Sequence, residues 1–166
     1  ARNGLNRVVL EGSDSARMIL AGNLDPIAGR DRKLALDLYD KLSLNSDIGL
    51  LLILSSSLYS LCYDDLMAFQ VRARRLIETG EDKVIRKLIE AGYRGYLDRD
   101  PRDEFSLMVM AWKFGGSLSR SRLKGLIFQQ KQLSEQDFQR TLSGIRKFSE
   151  TEALGLLEYI AGREAP

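Results

Sequence analysis

The stretch IGLLLILSSSLYSLCY, running from Ile48 to Tyr63, decides the fold. It is uncharged over 16 residues, which falls short of the roughly 20 apolar residues a membrane-spanning helix needs, and its second half is rich in serine. Ile48, Leu51, Leu52, Leu54, Leu58 and Leu61 cover most of the circumference of a helix. A helix that is apolar all round belongs at the centre of a bundle. Ser55, Ser56 and Ser57 fall mid-helix, where their hydroxyls can bond back to carbonyls one turn earlier. Ser46 is the expected cap.

Working toward the N-terminus, Asp31 to Leu42 places Leu34, Leu38 and Leu42 on one face with Ala35 beside them, which predicts a second helix. Asp25-Pro26 and Gly29 mark a loop. Ser13 caps a short helix over Asp14–Ala21 that Gly22 and Asn23 end. Residues 1–12 read as an N-terminal arm, with Asn3-Gly4 favouring a turn and Val8, Val9 and Leu10 as its anchor. The chain starts at Ala1 without a basic-then-apolar leader, and we read it as processed, truncated or part of something longer.

Toward the C-terminus, Asp64 and Asp65 suit the positive end of a helix dipole. Leu66, Phe69, Ala73, Leu76 and Ile77 form the stripe of that helix, which Gly80 ends. Glu81 and Asp82 open the next, with Val84, Ile85, Leu88 and Ile89 as its apolar face, Gly92 as its stop and Tyr93–Asp98 as a linker. Asp100-Pro101 starts a densely apolar helix, Phe105 to Phe114, that Gly115-Gly116 stops. Three more helices are expected: Ser119 to Gln130, one from Ser134, and one from Ser149 with Glu152 completing a capping box. Gly162 ends the last, leaving residues 163–166 as a frayed tail. The expectation is a single all-α domain over residues 1–166, an irregular helical bundle of about eight helices, with a short stack of helical hairpins as the alternative.

Composition narrows the function. The chain has 166 residues, 44% of them hydrophobic and 29% charged, with 25 basic and 23 acidic side chains. Near-balance of charge argues against a generic polyanion binder. There is no histidine, which removes the commonest general base and metal ligand, and Cys62 is the only cysteine, so no internal disulfide forms. A Ser/His or Cys/His arrangement is therefore impossible within the chain. Gly115-Gly116-Ser117 lacks the lysine-serine ending of a phosphate-binding loop. The carboxylates Asp98, Asp100, Asp103 and Glu104 are interleaved with Arg99, Pro101 and Arg102 and read as helix-start chemistry. No cofactor, metal site or catalytic residue is assigned.

Two binding readings remain. The first is a cytoplasmic, non-catalytic protein-interaction domain, an adaptor or regulatory subunit, with a self-associating subunit as a variant. Its partner would meet Arg72, Arg74 and Arg75, a compact guanidinium group suited to a carboxylate or phosphate, and Tyr93 and Tyr96, amphipathic aromatics flanking Gly95. The alternative is nucleic-acid binding by a basic hairpin over residues 117–148, with helices Ser119–Gln130 and Ser134–Lys147 joined by a Lys131-Gln132-Leu133 turn. Its contacts would be Arg120, Arg122, Lys124, Lys131, Arg140, Arg146 and Lys147. Eight basic and two acidic residues lie between Lys113 and Lys147, but Glu135 and Asp137 stand at the start of its second helix, where phosphates would approach.

Overall fold

The structure is a computed structural model in which residues 2–97, 107–133 and 136 are described. Among them the chain is all helical, with no strand. The elements are α1 (Arg2–Glu11), α2 (Asp14–Gly22), α3 (Leu24–Ala28), α4 (Arg32–Leu42), α5 (Ile48–Cys62), α6 (Leu66–Glu78), α7 (Asp82–Leu97), α8 (Leu107–Phe114) and α9 (Ser117–Leu133). This is the all-α bundle expected from the periodicity, built around α5, which touches α2, α3, α4, α6 and α7. No described helix is long and apolar enough to cross a membrane. The helices expected from Ser134 and Ser149, the acidic cluster at 98–104 and the tail at 163–166 lie outside the described residues.

α5 buries Leu50, Leu51, Leu54, Leu58, Leu61 and Cys62. Its serines behave as the mid-helix position requires: Ser55, Ser56 and Ser57 donate to the carbonyls of Leu51 (2.8 Å), Leu52 (3.0 Å) and Ile53 (3.3 Å). Their polarity is thereby satisfied inside the helix, and Ser55 sits in the core. Against α5 lies α7, whose Val84, Ile85, Leu88 and Ile89 are all fully buried. Each such side chain contributes roughly 1.5–3 kcal/mol relative to remaining in water, so this pair anchors the bundle.

Among the described helices, four start on a cap from the side chain that immediately precedes them. Ser13, Asp31, Asp47 and Asp65 accept from the backbone N–H groups of Ala16, Leu34, Leu50 and Ala68. Asp47, not Ser46, caps α5, at 2.7 Å; its carboxylate opposes the helix dipole more strongly than a hydroxyl would. Gly80, at φ +72°, takes the left-handed turn after α6 that a side chain would resist.

Four further expectations are corrected. Residues 2–11 form a helix, not an arm: Val9 is buried, and Arg17 donates to the carbonyls of Val9 (3.0 Å) and Leu10 (3.3 Å), satisfying the end of α1 from outside it. Asp25-Pro26 lies within α3, where proline in the first turn removes an N–H that has no helical partner. Gly92 does not stop α7, and Tyr93 and Tyr96 lie on helix instead of a linker. A Cβ at Gly92 would stand 2.6 Å from the Phe69 ring, so the glycine serves close packing of α7 on α6. Finally, α9 starts at Ser117 and continues through Lys131-Gln132-Leu133, where the turn of a hairpin was expected.

Candidate functional site

The arginine group sits on α6. Asp40, from α4, holds two of its members: Arg72 Nη2 lies 2.6 Å from Oδ2 and Arg75 Nη1 lies 3.2 Å from Oδ1. Arg72 also donates to the carbonyl of Ala68, and its side chain is only 13% exposed. It therefore anchors α6 to α4 and has little surface to offer a partner. Arg75 remains 51% exposed while touching Asp40. Arg74 is half-buried and lines the same outer face. So the structure brings the three together but gives them different roles. Tyr93 and Tyr96 lie on the last turns of α7, and their side chains fall outside the described residues.

The sequence reading missed the apolar part of this face. Met67 and Val71, one turn apart on the outside of α6, are 63% and 48% exposed, and Tyr63, in the turn that precedes the helix, is 73% exposed. The signal was available: apolar residues at helical spacing, opposite the buried stripe of Phe69, Ala73 and Ile77. Among the described residues, Met67, Gln70, Val71, Arg74, Arg75 and Glu78 line a shallow groove of about 310 Å³ here.

Arg120, Arg122 and Lys124 of α9 lie against protein groups. Arg120 donates to the Trp112 carbonyl at 3.1 Å and stands 5.6 Å from the centre of its ring. Lys124 lies 5.9 Å from the same ring, and Arg122 lies 3.7 Å from Glu90 of α7. The side chain of Lys131, and all of Arg140, Arg146 and Lys147, lie outside the described residues.

A groove of about 520 Å³ beside the α8–α9 turn is lined by Gly115, Gly116, Ser117, Arg120, Ser121 and Lys124. It resembles an anion cradle, yet the amides at the start of α9 are already taken. Asp82 accepts from the backbone N–H groups of Gly116, Leu118 and Ser119, each at 2.9 Å, and from the Ser119 hydroxyl. Partial burial pushes the Asp82 carboxyl upward, but the Ser119 hydroxyl and these three amides outweigh it and hold it below the usual carboxylate range.

Arg32, Asp64, Cys62 and Tyr39 have structural surroundings too. Arg32 pairs with both oxygens of Asp64, which raises the guanidinium and lowers the carboxyl. Cys62 is buried, and desolvation raises its thiol against the opposing pull of Arg72 and Arg32. Burial pushes the Tyr39 phenol far above its ordinary value, and its hydroxyl lies 3.4 Å from the Leu54 carbonyl. No group of acidic or cysteine side chains suited to a metal ion occurs among the described residues.

No known protein family, characterised protein or solved structure matches this chain.

Proposed function

We propose that the chain is a non-catalytic protein-interaction domain that receives its partner on the outer face of α6. One observation carries the reading: Met67 and Val71 stand exposed one turn apart on α6, bordered by Arg74 and Arg75. Apolar area beside guanidinium groups is the composition of an interface centre, where arginine is enriched and the apolar contacts exclude water. The described carboxylates Asp40, Asp64 and Asp82 are each held by structural partners, which fits a scaffold better than a reactive cleft. The reading carries with it a cytoplasmic, adaptor or regulatory role in a larger assembly.

The test is affinity capture from native cytosol, with and without nuclease, using the wild-type chain and the Met67→Glu/Val71→Glu variant. Both positions are exposed, so helical content should be unchanged by circular dichroism. A discrete protein recovered despite nuclease, and lost with the double variant, is the expected result. Recovery that disappears with nuclease would move the function to the basic surface of α9. Recovery indifferent to the double variant would place the interface elsewhere.

A further inference from the structure

We infer that the occupant of this face is an amphipathic α-helix that sets a carboxylate against Arg75. The inference rests on the interaction reading above and specifies its partner.

The geometry of the groove comes first. Its lining residues fall into two parallel rows with a four-residue step, Met67–Val71–Arg75 and Gln70–Arg74–Glu78. The furrow between two such rows is the feature that receives a ridge of side chains when helices pack. From Met67 to Glu78 the face spans about 17 Å at 1.5 Å per residue, room for about three turns of a partner. A peptide that binds by adding a strand needs a sheet edge, and α6 offers none, because its backbone groups bond within the helix. A helix satisfies its own backbone and presents a ridge of side chains to such a furrow.

Two guanidiniums, Arg72 and Arg75, share the single carboxylate of Asp40, and the shorter contact belongs to Arg72. Arg75 is the half-exposed member at the groove, so a carboxylate arriving from outside completes a pairing that Asp40 divides between two cations. Glu78, one turn further along, fixes the register: an acidic side chain placed there would meet a like charge. The helix that fits has an apolar ridge over Met67 and Val71, with Asp or Glu beside Arg75 and none beside Glu78. Met67 is unbranched and polarisable and can adapt to more than one apolar ridge.

The experiment is selection against the full chain from a displayed library of 18-residue peptides, patterned as amphipathic helices with randomised apolar and flanking positions. The wild-type chain should enrich helices bearing Asp or Glu on one flank. Their affinity should fall at least tenfold on Val71→Glu. On Arg75→Glu the same selection should return Lys or Arg at the flank, a reversal that general loss of folding cannot produce. No enrichment, enrichment without an acidic flank, or binding untouched by Val71→Glu overturns the inference. If capture from cytosol still depends on Met67 and Val71 in that event, the interaction face stands and only the helical, acidic partner falls. A concentration-dependent dimer of the chain itself, broken by Val71→Glu in light scattering, would make a second copy the occupant and equally overturn it.

Discussion

Asp82 opens α7, yet its carboxylate caps α9, whose first residues lie 34 to 37 positions later in the chain. Loss of a side-chain cap costs about 0.5–2 kcal/mol, and this one satisfies three amides together. Asp82→Ala should therefore destabilise the chain by about 2 kcal/mol, read from the urea midpoint at neutral pH. The folded carboxyl sits below its unfolded value of about 3.9. Its contribution is thus fully present above that unfolded value and is lost as pH falls through the lower, folded one. The gap between wild type and Asp82→Ala should narrow in strong acid, and a constant gap down to pH 2 would show that the charge is not what caps α9. Only half of this residue's role was legible. Its place at the start of α7 follows from local pattern, whereas its bond to α9 needs the two helices already packed.

Among elements, α6 and α7 show how one residue type can carry two meanings. Gly92 follows a run of apolar residues and reads as a helix stop, but α7 continues through Leu97 and the glycine makes room for Phe69. Alanine is worth about 1 kcal/mol over glycine in a helix, so Gly92→Ala would stabilise α7 in isolation. In the bundle, the added methyl meets a buried ring that also packs edge-on to Tyr59, and overpacking costs about 1–3 kcal/mol. The expected result is a lower melting temperature, reversed by pairing Gly92→Ala with Phe69→Leu. If Gly92→Ala alone raises the melting temperature, the close contact is not limiting. The buried stripe of α6 was legible because burial follows the helical period. Its outer pair, Met67 and Val71, was not read as a face, because exposure depends on which neighbours leave it uncovered.

For the whole molecule, Trp112 offers a single reporter. It is buried on α8, which packs on α6, α7 and α9. Its emission should be blue-shifted in the folded chain, and its red shift on unfolding should coincide with loss of far-ultraviolet ellipticity, as expected of one cooperative unit. A fluorescence transition that precedes the helical one would mean that α8 and its neighbours separate from the α5-centred core. The all-helical class, the central place of α5 and the buried faces of α4, α6 and α7 were determined by the sequence alone, since periodic apolar spacing states which side of a helix must leave water. Local capping chemistry likewise marked the start of α2, where Ser13 caps the helix as expected. The tertiary structure alone decided that residues 2–11 are helical, that Asp40 gathers Arg72 and Arg75 from 32 and 35 residues away, and that Met67 and Val71 stay uncovered. The physical reason is that spacing along the chain encodes a helix's faces, whereas partners distant in sequence are chosen only when those faces pack.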